Sequence, residues 1–137
     1  MGIVHAEITL KNSGDVAKAQ GGFIPEREVR EVRVRALVDT GAGTLVINEE
    51  IMCALGLGIR GLRRASFANN AKEICKVTDP VDVYWKERGM TCQALVVPDT
   101  PDVLLGAIPL EDMDLIVNPS KQELVGAHGD EVVTSVV

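Results

Sequence analysis

The chain reads Ala36-Leu37-Val38-Asp39-Thr40-Gly41-Ala42-Gly43 where an apolar segment, typical of a buried strand, meets an acidic residue. Because a carboxylate is costly to desolvate, Asp39 beside a hydrophobic strand needs hydrogen bonds or a chemical task. Thr40 can supply a hydroxyl, and Gly41 permits the close approach that brings backbone N–H groups to the carboxylate. Alone, Asp-x-Gly is ordinary turn chemistry. The apolar strand before it and the strand-like Thr44-Leu45-Val46-Ile47 after it favour a functional loop instead.

Length and composition predict one small β domain. The 137 residues can build one core but are too few for two ordinary domains, so we expect a single domain over residues 1–137. Hydrophobic residues make up 46% of the chain and aromatic residues only 3%, so the core must be aliphatic, which favours sheet. The net charge of −6 argues against nonspecific nucleic-acid binding, because that binding needs a basic surface.

Two motifs resemble those of one enzyme family. The segment Leu37-Val38-Asp39-Thr40-Gly41-Ala42 resembles the active-site motif of retroviral-type, or retropepsin-like, aspartic proteases. Downstream, Val103-Leu104-Leu105-Gly106 resembles the apolar strand of that family that passes beside the catalytic loop and precedes a short helix. The likeness extends roughly over residues 3–126 as a pattern and is specific at these two motifs.

The resemblance implies both a fold and a site. The implied fold is all-β, mainly strands with two short helices, closed like a β-barrel as in the acid proteases, with one lobe per chain. The resemblance makes Asp39 the catalytic residue. It assigns the active-site loop to Thr40, Gly41 and Ala42, and the strand that supports this loop to Leu104, Leu105 and Gly106.

One Asp-Thr-Gly motif implies two chains. Peptide hydrolysis by this chemistry needs two carboxyls around one water, one ionised as the base and one neutral as the hydrogen-bond donor. Asp99-Thr100 is no second motif, because Pro101 replaces the glycine and lacks the N–H. We therefore expect a homodimer with twofold symmetry in which Asp39 faces its own copy. By resemblance, Thr40 forms a hydrogen bond across that interface.

A hairpin is expected between residues 60 and 77. Two strands should flank Ala68-Asn69-Asn70-Ala71, because Asn tolerates the left-handed conformation of a tight turn. In the family this hairpin is the flap that closes over the substrate. The family tip is usually rich in glycine, and this one is not. Arginines at positions 60, 63 and 64 could order acidic substrate residues, but a solvated cluster is the favoured interpretation.

Alternation and turn signals predict the other elements. We expect strands at residues 4–10, 29–38, 44–47, 81–85, 90–97, 103–106, 115–117 and 123–125. Helices are expected between Asn48 and Gly56 and over about 107–113. Residues 16–25 suggest a loop or a loose hairpin tip, and Trp85 is expected in the core. The tail at 132–137 has high β propensity and, by resemblance, pairs with a partner subunit; a disordered tail is the alternative.

Cysteines and termini suggest a cytoplasmic protein. The three cysteines, Cys53, Cys75 and Cys92, form no C-x-x-C motif and are interpreted as reduced, buried thiols, with Cys53 a small core residue. His5 and His128 lie far apart, so we expect no metal site and no cofactor. The N-terminus resembles neither a signal peptide nor a myristoylation site, and no apolar run reaches membrane-spanning length, so no membrane partner is expected.

The sequence therefore predicts an aspartic endopeptidase that acts on polypeptide substrates as a homodimer. Two alternatives remain open. A noncatalytic dimeric or peptide-binding module on the same fold is supported by the Asn69-Asn70 tip and by Ala107, where family members often carry a polar residue. A structural β domain with a chance Asp-Thr-Gly must explain two motifs by accident.

Overall fold

The computed structural model describes residues 3–136, so Val137, the last residue of the predicted C-terminal strand, lies outside it. Within these residues the strands are β1 (His5–Asn12), β2 (Glu31–Val38), β3 (Leu45–Ile47), β4 (Ile59–Ser66), β5 (Lys72–Trp85), β6 (Arg88–Val96), β7 (Leu104–Leu105), β8 (Leu115–Asn118) and β9 (Glu123–Gly126). The helices are α1 (Ser13–Gln20), α2 (Glu49–Leu55) and α3 (Ala107–Asp112), with a short 3₁₀ turn at Glu26–Glu28.

Seven strands form one sheet in the order β1-β2-β7-β3-β6-β5-β4. β1 also pairs with β5, from Thr9 opposite Tyr84 to Asn12 opposite Val81, and this second pairing closes the strands other than β4 into a ring. β4 pairs with the first half of β5 and extends the sheet beyond the ring as a hairpin. β8 and β9 form a separate antiparallel pair. The predicted all-β, barrel-like class is therefore confirmed.

The ring surrounds an aliphatic core, as the composition predicted. Completely buried side chains come from strands all round the ring and include Leu10, Ile47, Val81, Val83 and Leu105. Burying each such side chain stabilises the fold by roughly 1.5–3 kcal/mol, which ties the register of every strand to its alternation. Trp85 is 8% exposed and packs in this core, so that prediction is confirmed.

Helix α1 corrects the sequence analysis, which predicted two helices and placed a loop or hairpin tip at residues 16–25. Residues 16–20 belong to this third helix, and the loop begins at Gly21. The side chain of Asn12 caps the helix by accepting a hydrogen bond from Asp15 N at 3.0 Å. Its Nδ2 also donates to the carbonyl oxygen of Leu55, 2.8 Å away at the end of α2. The capping signal is therefore local, with Asn12 followed by Asp15 in the first turn, and only the bond to Leu55 is remote in sequence.

Helix α2 forms as predicted, but its cysteine does not lie where it was expected. Asn48 caps the helix by accepting from Ile51 N at 2.9 Å, and Gly56 ends it in the left-handed conformation. The buried face of α2 consists of Met52 and Leu55, three residues apart. Cys53 lies between them and is exposed, so its prediction as a core residue was wrong.

The other two cysteines lie in the sheet. Cys75 is buried, as predicted, and Cys92 is partly buried. Desolvation, with a smaller contribution from the Asp112 carboxylate, raises the pKa of the Cys92 thiol to about 11, so this thiol is protonated at neutral pH.

The C-terminal elements follow α3. β8 and β9 form where strands were predicted. Asp114 then holds the tail, because its Oδ2 accepts from Val133 N at 3.0 Å and lies 2.7 Å from Nδ1 of His128. In residues 3–136 the tail forms only an isolated bridge between His128 and Glu131, and its pairing with a partner subunit stays a prediction. No helix in this part of the chain is both long enough and apolar enough to cross a membrane.

Candidate active site

Asp39 follows the last residue of β2, at a point where three strands meet. β7 lies between β2 and β3, parallel to β2 and antiparallel to β3. In this arrangement Leu105 pairs with both Val38 and Leu45, the residues on either side of the loop. The backbone N–H of Asp39 donates to the carbonyl oxygen of Leu105 at 3.0 Å. The carboxylate is therefore anchored to the core through its own main chain.

The loop orients the carboxylate with its own backbone. Gly41 N donates to Oδ1 of Asp39 at 2.9 Å, and Ala42 N donates to the Asp39 carbonyl oxygen at 3.1 Å. Asp39 is half-buried and Thr40 is exposed. Among residues 3–136 no cationic side chain forms an ion pair with Asp39, which distinguishes it from the structural aspartates Asp15 and Asp79.

Gly106 allows the start of α3 to approach the Asp39 loop and support it by hydrogen bonds. Ala107 N donates to the carbonyl oxygen of Ala42 at 2.8 Å, and Ile108 N donates to that of Gly43 at 3.2 Å. A Cβ atom at Gly106 would lie 2.6 Å from the Ala42 carbonyl oxygen and closer still to that of Thr44. Only glycine fits, because two backbone segments occupy the space that a side chain would need. The structure thus brings the two motifs into direct contact.

The predicted tight turn joins β4 to β5. Phe67 N donates to the Ala71 carbonyl oxygen at 2.9 Å, which leaves Ala68, Asn69 and Asn70 as the loop. Asn70 takes the left-handed conformation with φ of 67°, and the Asn69 side chain accepts from Ala71 N at 3.0 Å. Asparagine therefore provides the turn geometry that glycine provides in other hairpins.

The base of this hairpin is fixed by Asp79, a residue that the sequence analysis overlooked. Its carboxylate accepts from Gly58 N at 2.9 Å and from Nε of Arg60 at 2.7 Å. These hydrogen bonds, that of Arg60 foremost, hold the pKa of Asp79 below its usual value. Its partners lie about twenty residues away, so no local pattern could have revealed it.

A β-bulge beside Asp79 separates the hairpin from the ring. The pairing of β5 with β6 shifts register between Val77 and Pro80. At the shift, Thr78 is completely buried, and its Oγ1 accepts from Ala94 N at 3.0 Å. The bulge therefore divides β5 into an outer half in the hairpin and an inner half in the ring.

A small ring of strands, with an Asp-Thr-Gly loop supported by a short strand and by the glycine that follows it, is the architecture of an aspartyl protease. Comparison with protein families agrees: a family model described as aspartyl protease matches residues 26–108, from the approach to β2 into α3. The match includes Asp39, the hairpin and Gly106 and covers more than half of the chain. The protein belongs to the retropepsin-like aspartyl protease family. A comparison with curated proteins finds no match.

Proposed function

We propose that the protein is an aspartic endopeptidase in which the Asp39 carboxylates of two subunits activate one water for attack on a peptide bond. The observation that carries this proposal is the supported loop, in which Gly41 N donates to the Asp39 carboxylate at 2.9 Å and Gly106 lets the backbone at the start of α3 approach the loop. An acidic side chain that is half-buried and oriented without a cation is suited to proton transfer.

The proposed reaction uses the two carboxyls differently. One Asp39 is ionised and takes a proton from the water as the water attacks the carbonyl carbon. The other is neutral and donates a hydrogen bond to the carbonyl oxygen, where negative charge develops. Two like charges this close cannot both ionise cheaply, so the pair shares one proton. The proton taken from water then passes to the leaving nitrogen.

A second copy of the chain is proposed to complete the site. Support comes from the exposed Thr40 and from apolar side chains exposed near the C-terminal elements, including Ile108 at 53% and Ile116 at 52%. In the proposed dimer the β4–β5 hairpin is the flap that covers the bound peptide and excludes water.

The decisive experiment measures cleavage of an unfolded protein, such as reduced casein, over a range of enzyme concentrations. We expect internal cuts, inhibition by pepstatin, and a specific activity that falls on dilution as dimers dissociate. The rate should pass through a maximum on the acid side of neutral, because both carboxyls are protonated at lower pH and both are ionised at higher pH. A monomer with constant specific activity on dilution contradicts the shared site.

A noncatalytic peptide-binding module is the second candidate. The Asn69-Asn70 tip and the methyl group of Ala107 are the features that favour it. This candidate predicts that wild-type protein and Asp39→Asn bind the same peptides with equal affinity and that neither cleaves them.

A further inference from the structure

Positive charge is concentrated in the flap hairpin, defined here as residues 59–77. This segment contains five basic residues and one acidic residue, whereas the rest of the chain contains nine basic and nineteen acidic residues. The hairpin therefore carries a net charge of +4 on a chain whose net charge is −6. A charge separation of this size creates a local field that attracts acidic molecules to the hairpin.

Two of the five basic residues are neutralised by ion pairs. Nε of Arg60 lies 2.7 Å from Asp79, and Nζ of Lys76 lies 2.9 Å from Glu49. The other three are Arg63, Arg64 and Lys72, which are exposed and form no ion pair within residues 3–136. Their charge is available to a ligand.

Register places the two arginines on opposite faces of the hairpin. Arg63 is opposite Cys75, and residues directly opposite in an antiparallel pair share a face. Cys75 is 4% exposed, so Arg63 lies on the inner face of the hairpin. Arg64 is opposite Ile74, which is 58% exposed on the outer face.

We propose that Arg63 is a specificity-determining residue that binds an acidic side chain of the substrate near the cleaved bond. Arg64 and Lys72 attract acidic polypeptides to the same hairpin over a longer range. The substrates are therefore acidic segments of unfolded polypeptide. This inference rests on the proposed function, because Arg63 meets the substrate only where the hairpin closes over it. A guanidinium group suits this role because its donors match a carboxylate in a bidentate pair.

The first test profiles cleavage sites in a library of peptides from a denatured proteome, using wild-type protein, Arg63→Gln and Arg64→Gln. Both arginines are exposed, so both variants should fold, and thermal melting checks this. We expect Asp and Glu to be enriched at one fixed position beside the cleaved bond for wild-type protein and Arg64→Gln. Arg63→Gln should lose that enrichment. Absence of enrichment for the wild type, or equal enrichment for all three proteins, overturns the proposal.

The second test compares two peptides cut by all three proteins, one with Glu and one with Gln at the enriched position. Arg63→Gln should lower kcat/KM for the Glu peptide by about 3- to 10-fold and leave the Gln peptide unchanged. Arg64→Gln should lower it by less than about 3-fold, and that effect should vanish at high salt. Arg35→Gln, on the exposed face of β2, controls for the loss of any positive charge. Equal losses for Arg63→Gln and Arg64→Gln would overturn the assignment of faces.

Binding separates this inference from the proposed function. Asp39→Asn, with and without Arg63→Gln, is titrated with fluorescent Glu and Gln peptides. If the protein binds the Glu peptide more tightly only when Arg63 is present, and the wild type cleaves no peptide, the acidic ligand is supported and the endopeptidase function is rejected. If the wild type cleaves peptides but shows no such preference, the endopeptidase function is supported and the role of Arg63 is rejected. A single-stranded oligonucleotide is tested as a competitor of the fluorescent Glu peptide. If it displaces that peptide at a lower concentration than the unlabelled Glu peptide does, the basic surface is reassigned to nucleic acid.

Discussion

The chain contains two Asp-Thr pairs, and only one of them is built into the core. Asp39-Thr40 follows β2 and Asp99-Thr100 lies just beyond β6, so both come after strands of the same ring. At Asp39 the next residue is Gly41, whose N–H donates to the carboxylate at 2.9 Å. At Asp99 the corresponding residue is Pro101, which has no N–H to donate.

The surroundings of the two pairs differ as well. The Asp39 loop is supported by a hydrogen bond from the backbone N–H of Ala107, whereas Asp99 is exposed at the surface. The Thr100 hydroxyl donates to the carbonyl oxygen of Asp102 at 3.1 Å within its own turn, while Thr40 is exposed and available to a partner. An Asp-Thr dipeptide therefore becomes a candidate site through the residue that follows it and through the backbone that supports its loop.

The largest effect should come from exchanging the two acids for amides. Asp39→Asn removes the group that is proposed to take and return the proton, so peptidase activity should fall at least about 10³-fold while the fold and the proposed dimer remain. Asp99→Asn should leave activity within about 2-fold, because the Asp99 carboxylate is solvated and its loop has no supporting segment like that at Gly106. Casein cleavage and sedimentation measure both. Native activity in Asp39→Asn would remove the distinction between the two loops.

The support of the Asp39 loop at Gly106 can be removed without changing Asp39 itself. Gly106→Ala puts a methyl group against the carbonyl oxygens of Ala42 and Thr44, so the loop must move, and the free energy of unfolding should fall by about 3 kcal/mol. Gly43→Ala is the matched control, since a Cβ there meets no atom within 4 Å. Urea denaturation gives both values. A stable, active Gly106→Ala would show that the Asp39 loop needs no support from α3.

Removing each threonine hydroxyl tests whether the two pairs differ in assembly. Thr40→Ala should weaken the proposed dimer by about 10- to 100-fold, because the hydrogen bond proposed to be buried at the twofold axis would be lost in both subunits. Thr100→Ala loses only its bond within the turn and should leave dimerisation unchanged. Sedimentation equilibrium measures both dissociation constants. Equal constants for Thr40→Ala and the wild type would place the interface away from the loop.

A third aspartate shows what a structural carboxylate looks like. Asp15 is 5% exposed and binds Nε of Arg30 at 2.8 Å and Nη2 at 3.0 Å. Hydrogen bonding to Arg30 holds the pKa of Asp15 below its usual value. Because the folded-state pKa is the lower one, the stability from this pair is complete above about pH 4 and is lost as the pH falls through the folded-state value.

Asp15→Asn should therefore lower the free energy of unfolding by about 2 kcal/mol at pH 7. The difference from wild type should shrink below about pH 4, where protonation weakens the wild-type pair as well. Urea denaturation at several pH values measures the difference. Asp99→Asn is the control and should track the wild type throughout. A constant difference for Asp15→Asn down to pH 2 would contradict the role assigned to the Arg30 pair.

Local patterns were sufficient for most strands and for α2, whereas the contact between the two motifs was expected from the family resemblance. The strands expected up to residue 77 and at 81–85 are one continuous strand, β5, which contains the bulge. Alternation around Leu10 and the cap at Asn48 act within a few residues, so the sequence records them directly. The hairpin base was missed because it depends on distant partners, Asp79 with Gly58. Helix α1 was missed although its capping bond, from Asp15 N to Asn12, is local; only the second bond of Asn12, to the Leu55 carbonyl, is remote in sequence. Cys53 was misplaced because only the packed helix shows which face α2 buries.

The position of β7 in the ring has a consequence for protein synthesis. Of the ring strands it is the last in sequence, yet it lies between β2 and β3, which are among the first. A ribosome therefore releases Asp39 long before Gly106, and the nascent chain carries the acidic loop without the strand that shapes it. The proposed active site can form only after this last strand has emerged, so under the proposed function a partly made chain has no completed site with which to attack neighbouring polypeptides.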